Sequence, residues 1–334
     1  MAVRLDPADE YLHELGPEPN FNESMYINLF DPEQGIGGWF RMGNRANEGY
    51  AEMTVCLYLP DGRVGFMFKR PEITNNDALD AGGMRWTMVT PFEELRVDFE
   101  GKVVLLDEPT QMVDPKVAFS NNPYDSCEVH LTFTGQGRAS MFGGEPDQPH
   151  EAPGEEFAKG HYEQLVEGHG TIRVGDHTWE VRGCGLRDHS WGPRYWQAPW
   201  YYRWLTANFG RDLGFMLSRI AKKDGPGTRG GFVWDDGRLH LCDDAEISTE
   251  FVGDDVYHST ITARLTSSRS ERTWTFTGQV LNLIPLRNRR TDPEGNLLVT
   301  RISEGMTRWT MTGEPHEGAT GFGLSEYLDQ IIDG

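Results

Sequence analysis

The sequence is poor in cysteine. Its four residues, Cys56, Cys127, Cys184 and Cys242, stand far apart in 334 positions with no C-x-x-C spacing. Neither a disulfide framework nor a cysteine-rich metal site is expected, and the thiols read as free. Positive charge is also in short supply: 31 Lys and Arg face 52 Asp and Glu, a formal charge of −21. A surface that acidic repels phosphate backbones and anionic headgroups, which excludes general nucleic-acid binding and disfavours anionic membranes. No apolar run approaches the ~18 residues of a membrane span. The opening MAVRLDPADEYLHELG lacks the apolar stretch of a signal peptide, so a cytoplasmic protein is expected. Cofactor signatures are missing as well. There is no G-x-S-x-G, no phosphate-binding G-x-x-x-x-G-K-[ST], no G-x-G-x-x-G opening a helix after a strand and no H-E-x-x-H. No cofactor is expected.

What is present suits a folded, strand-rich chain. Hydrophobic residues make up 37% and charged residues 25%, the range of globular proteins. At roughly 150 residues per domain the length suggests two domains or one large β domain. Glycine (39) and proline (19) punctuate short alternating runs, an all-β signature. Tyr50–Leu59 and Val64–Lys69 flank Pro60-Asp61-Gly62-Arg63 as a hairpin. Thr171–Val174 and His177–Leu186 flank Gly175-Asp176 in the same way, as do Gly231–Trp234 and Leu239–Cys242 around Asp235-Asp236-Gly237-Arg238. Runs at 95–99 and 102–106 read as two strands, and so do 297–303 and 306–312. Helix is expected only near the ends. Asp6 caps a stretch opened by Pro7 and reaching about Leu15, while Tyr327, Leu328, Ile331 and Ile332 share a helical face with Ser325 as a cap. About sixteen short strands exceed one small barrel, so two tandem antiparallel barrels or sandwiches are expected, at 1–168 and 169–334. The loop Gly143–Gly154 (GGEPDQPHEAPG) reads either as a surface loop or as the approach to a linker.

The chemistry concentrates in one stretch. Four of ten histidines (His161, His169, His177, His189) fall within 29 residues, together with His161-Tyr162-Glu163-Gln164 and Arg187-Asp188-His189-Ser190-Trp191-Gly192-Pro193-Arg194. Buried charges need partners. Either this block is a site, or Arg187 and Arg194 pair with Asp188 as a structural bridge. A metal held by His161, His177 and His189 on adjacent strands is a minor alternative, and no metal is expected. Ser190 beside His189 is no triad, because strand neighbours face opposite ways. Seven aromatics follow within 14 residues: Trp191, Tyr195, Trp196, Trp200, Tyr201, Tyr202 and Trp204. They read as core packing or as an apolar ligand pocket. The basic run Arg287-Asn288-Arg289-Arg290 reads as a solvated loop or as a handle for an anionic group, with Arg287 as the candidate.

At His161–Gln164 and Gly183–Arg194 (GCGLRDHSWGPR), supported by Asn22–Asp31 (NESMYINLFD), Ile284–Arg290 and Gly321–Tyr327, the chain resembles the AttH-like and carotenoid 1,2-hydratase (hydroxyneurosporene synthase) superfamily. The resemblance implies two lipocalin-like β domains in tandem. It also implies a catalytic polar pair that falls on His161 and Asp188. Glu163 stands where the family has an aromatic residue, and Leu186 where it has tyrosine. Glu163 suits a ligand more polar than a carotenoid, such as a terpenoid acid, a steroid or a phenylpropanoid.

The expected activity is therefore a cofactor-independent hydratase or dehydratase acting on a C=C bond of a lipophilic small molecule. Asp188 would be the general acid, kept protonated by an apolar wall and oriented by His161 or His189. His161 and Glu163 would place the water. Trp191 and Trp196 would shield a cationic intermediate, with Tyr162, Arg194, Tyr195, Trp200 and Arg287 lining the substrate. A non-catalytic carrier of a lipophilic ligand, or an isomerase or cyclase using the same pocket, is the alternative.

Overall fold

A computed structural model describes residues 5–135, 141–142, 158–194, 199–223, 225–254, 256–291, 295 and 297–331. The loop Gly143–Gly154, Tyr195 and Trp196 lie outside these residues. The chain divides into two compact units, Met1–Asp107 with Asn122–Tyr195, and Glu108–Asn121 with Trp196–Gly334. The boundary expected at 168–169 falls inside one unbroken strand, and the division comes after residue 195. Among the described residues no helix is long and apolar enough to cross a membrane.

The first unit contains β1 (Phe21–Asp31), β2 (Ile36–Arg45), β3 (Tyr50–Tyr58), β4 (Val64–Lys69), β5 (Asp80–Ala81), β6 (Met84–Thr90), β7 (Glu94–Leu106), β8 (Tyr124–Gly135), β9 (Met141–Phe142), β10 (Gly160–Val174) and β11 (His177–Pro193). They form one antiparallel sheet in the order β4-β3-β2-β1-β11-β10-β8-β7-β6-β5, with β9 on β10. Pairing of β4 with β7 curls it into a barrel. The inner face follows the period of two that a strand imposes. Ile27, Phe40, Val55, Val97, Phe99, Val129 and Leu131 are each at most 2% exposed, and cross-strand register sets Ile27, Phe40 and Val55 in one row. The 95–106 stretch is one strand, not two, because Glu100 and Gly101 stay paired to Glu128 and Cys127.

The glycines of GCG permit the β1–β11 pairing. A Cβ at Gly185 would lie 1.8 Å from the Asn28 carbonyl oxygen, and one at Gly183 2.1 Å from that of Phe30. The amino-terminal turn is a short 3-10 helix, Pro7–Glu10, that stops well before Leu15. Asp6 caps it, accepting from Ala8 N at 3.0 Å while its own N–H donates to Asp9 at 2.7 Å.

The second unit holds a short helix, α1 (Pro115–Asn121), and β12 (Tyr201–Asn208), β13 (Leu213–Lys222), β14 (Gly225–Asp235), β15 (Arg238–Cys242), β16 (Asp244–Val252), β17 (Tyr257–Ser267), β18 (Arg272–Thr291), β19 (Leu297–Thr312) and β20 (Thr320–Ile331). Their order is β15-β14-β13-β12-β20-β19-β18-β17-β16, and strands from the two ends of that order touch. The sheet thereby curls around a core that includes Leu205, Phe215, Ile261, Trp274, Phe276 and Trp309. Phe215 stacks on Phe276 at 4.2 Å and meets Trp309 edge-on at 5.2 Å. The two runs expected at 297–312 are one strand.

The expected carboxy-terminal helix is β20. Tyr327 and Leu328 are chain neighbours and both buried, a pattern that fits a helix face or a strand covered on both sides. Because β20 lies between β12 and β19, the second applies. Ile332 lies outside the described residues. The all-β class and the two barrel-like sheets thus agree with the sequence reading.

Candidate active site

Arg187–Pro193 lie on β11, between β1 and β10, and alternate between two faces, with Arg194 just beyond the strand. Arg187, His189 and Trp191 point into the barrel, while Asp188 and Ser190 stand on the opposite face. The same rule divides His161-Tyr162-Glu163. His161 and Glu163 share the face of Asp188, whereas Tyr162 lies on that of His189, to which it is paired.

On the Asp188 face, register builds two rows. One runs Thr54, Arg41, Tyr26, Asp188, Glu163, and the next Glu52, Gly43, Ser24, Ser190, His161. His161 Nε2 hydrogen-bonds Asp188 Oδ2 and lies 3.4 Å from Glu163 Oε1. The Glu163 side chain is 3% exposed, but those of His161 and Asp188 are 38% and 21% exposed, so the pair stays accessible. Tyr26 stacks on Trp39 at 5.8 Å beside them, and both are buried.

Charges follow from this placement. Burial opposes a charged His161, yet Asp188 and then Glu163 outweigh it and raise the imidazolium to about 10. For Asp188, burial pushes the carboxyl up, but His161 and Arg194 prevail and hold it below its ordinary value. The expected protonated Asp188 is therefore corrected: the proton belongs to His161, because an imidazole rather than an apolar wall is its neighbour. Arg194 donates to Ser190 Oγ at 2.6 Å, and burial followed by the nearby Arg41 charge lowers it to about 10.

The inward residues form a different assembly. Arg187 does not bridge to Asp188. Its guanidinium donates twice to Glu10, at 2.6 and 2.7 Å, and once to Gln164 at 2.8 Å. Glu10 also accepts from Phe92 N at 2.8 Å. His189 Nε2 bonds Glu23 at 2.6 Å, and Glu23 accepts further from the His13 backbone N (2.9 Å) and ring Nδ1 (3.1 Å). Burial disfavours the Glu23 charge, but the bonds from His13 and His189 hold its pKa at about 2. Trp191 lies over Gly160 and stacks on His13 at 3.9 Å. The amino-terminal segment thus closes one end of the barrel with two buried ion networks. His189, Tyr162 and Trp191 belong to that closure, across the sheet from Asp188. They are not brought to it.

Other expected residues fall elsewhere. Trp200 and Arg287 belong to the second unit. The expected metal trio is separated, since His189 faces away from His161 and His177 sits at the far end of the hairpin, paired to Val174. Two other sets among the described residues hold three ligating atoms within 4.8 Å: His161, Glu163 and Asp188, and His13, Glu23 and His189. The residues not foreseen are Asn22 and Tyr26 on β1 and Trp39 and Arg41 on β2. For the first two the signal lay in the polar content of FNESMYINLFD, a strand buried at all 11 positions.

A family model described as a domain of unknown function (DUF7064) matches residues 6–331. A search of curated proteins finds no sequence match. Among solved structures, CghA crystallised with Sch210972 is 14% identical, with a TM-score of 0.57 over 95% of this chain and 90% of that one. Kievitone hydratase from Nectria haematococca is 8% identical, with a TM-score of 0.57 over 97% and 93%. A candidate AttH from Nitrosomonas europaea is 15% identical, with a TM-score of 0.53 over 96% and 98%. At these identities the likeness is one of fold, and it is the AttH-like fold expected from the sequence.

Proposed function

The chain belongs to that domain-of-unknown-function family (DUF7064), and we propose that it is a cofactor-independent acid–base enzyme that adds water to, or removes it from, a C=C bond of a lipophilic small molecule. The observation that carries this reading is the partly exposed His161 held between Asp188 and Glu163 on one sheet face beside aromatic residues. Kinship of fold with a kievitone hydratase and with CghA, which was crystallised with Sch210972, supports a hydratase-type role and a small-molecule ligand.

An imidazolium near pKa 10 is too weak an acid to protonate an isolated alkene. It matches an alkene polarised by a conjugated carbonyl. In that reaction Glu163 takes a proton from water as its oxygen bonds to the β-carbon. The C=C electron pair moves toward the carbonyl, and His161 delivers its proton to the resulting enolate. Glu163 then returns its proton to His161 across their 3.4 Å contact, closing the cycle. Asp188 keeps the imidazole oriented and charged. Dehydration is the same sequence reversed, and an isomerase would use the proton steps without water. Acid–base placement of this kind contributes about 10²–10⁴-fold.

The test is incubation of lipophilic cell extracts in oxygen-18 water with wild type and with His161→Gln, followed by untargeted mass spectrometry. A labelled hydroxyl, or loss of water, with wild type only is expected. An unlabelled isomer would reassign the chain to an isomerase. A compound co-purifying unchanged on both proteins would leave a carrier and overturn the reading.

A further inference from the structure

We propose that the Asp188 face carries an anion-binding subsite, formed by Arg41, Arg194 and Asn22 around Ser24, which takes a carboxylate of the lipophilic substrate. It rests on the proposed function only in assigning that carboxylate to the molecule acted on by His161.

The geometry begins with Gly43. A Cβ there would lie 2.9 Å from Arg41 Nη2 and 3.0 Å from Asn22 Oδ1, so the Arg41 guanidinium bends out of its own row and covers Gly43. On the other side, Arg194 Nη2 stands on Ser190 Oγ at 2.6 Å. Gly43, Ser24 and Ser190 are successive members of one row. Two guanidinium groups therefore flank β1 from β2 and β11, roughly two strand spacings or ~10 Å apart. In that row the small, buried Ser24 lies between them.

Asn22 is an independent indication. It shares the face of Ser24, is 1% exposed, and neither its Nδ2 nor its Oδ1 has a hydrogen-bond partner. Buried amides are rarely left so, because the lost water bonds are not replaced. Its Oδ1 lies on the Gly43 side, toward Arg41, which leaves the Nδ2 of the same buried amide as the donor for an incoming carboxylate. Arginine offers a planar fork that meets both oxygens of such a group.

The neighbouring charges are consistent with this placement. Glu52 lies beyond Gly43, away from Ser24, 3.4 Å from Arg41 and 2.9 Å from Arg70. Arg45 is bound to Glu48, and Asp188 to His161. Arg194 is lowered first by burial and next by the Arg41 charge. An anion over Ser24 relieves that repulsion. From there a lipophilic chain reaches His161 across β11.

The full-length protein should be titrated with all-trans-retinoic acid and with retinol, which share a polyene and differ in charge, using tryptophan quenching. Wild type is expected to hold the acid at least about tenfold tighter. Arg41→Met and Arg194→Met should each lose about tenfold for the acid while retinol affinity, which also reports the fold, stays within about twofold. Asn22→Leu should weaken the acid in the same selective way. Equal affinity for the two probes, no binding of the acid, or equal losses of both in the arginine variants overturns the subsite. His161→Gln separates the two ideas. Acid preference kept in a protein that turns nothing over leaves the subsite standing without the hydratase, and turnover without acid preference does the reverse.

Discussion

Asp188 and His189 are joined by one peptide bond and do different work on opposite faces of a sheet. Asp188 accepts a hydrogen bond from His161 on one face, where both side chains are partly exposed, while His189 bonds Glu23 within the barrel. The two positions should respond to substitution in opposite ways.

Asp188→Asn removes the carboxylate that keeps His161 charged. Activity should fall about 10²–10⁴-fold with little change in unfolding midpoint. The His161 pKa should drop from about 10 toward its ordinary 6.5, followed by NMR titration of the ring. The wild-type rate should decline as pH rises past about 10, and in the variant that limb should move to lower pH.

Glu23 is held at about 2 against an ordinary 4.5. A lowered carboxylate contributes stability that is present above pH 4.5 and is lost as pH falls through 4.5 toward 2. The span corresponds to at most about 3 kcal/mol. Urea unfolding of wild type should weaken across that window, and Glu23→Gln should be less stable at pH 7 with a flatter acid limb.

His258 in the second unit is buried and stacks on Tyr327 at 4.0 Å, with Nε2 bonded to Ser325. Burial, partly offset by that bond, lowers it to about 3. Between pH 6.5 and 3 the unfolded chain takes a proton that the folded one refuses, so stability falls with pH. Replacing His258 with glutamine should lessen this dependence in acid unfolding followed by near-ultraviolet dichroism.

Arg187 and Glu10 form a buried pair with two parallel bonds. Removing one partner strands a charge, so Arg187→Met and Glu10→Ala should each cost about 3–5 kcal/mol. Combined in one protein they should cost much less than their sum, measured by a denaturant double-mutant cycle.

Gly185→Ala should impair folding outright, because the added carbon meets the Asn28 backbone oxygen at 1.8 Å and no side chain can yield. Loss of soluble protein, or a large fall in midpoint, is the expected result.

Alternation made most strands legible: Ala51, Met53, Val55 and Leu57 announce β3 without help. It also sufficed to separate Ser190 from His189, and the same argument applied to Asp188 and His189 divides the block as the structure does. What local pattern does not carry is partnership. Arg41 reaches the Asp188 row only through Tyr26, 162 positions before Asp188, and Glu10 meets Arg187 across 177 positions. The same holds for β20, where Tyr327 and Leu328 are buried by strands on either side.

The place of β1 in its sheet also constrains how the chain comes to be made. Its residues, complete at Asp31, pair on one side with β2 at once, but on the other with β11, which begins at His177. At typical synthesis rates of about 5–20 residues per second, the intervening stretch takes roughly 7–30 s to emerge. Throughout that interval β1 presents an open edge to solvent or to chaperones. The second sheet repeats the arrangement, since β12 awaits β20 at the end of the chain. Contacts this distant in sequence favour slow folding. The yield of this protein should therefore depend on growth temperature and chaperone supply more than its final stability would suggest.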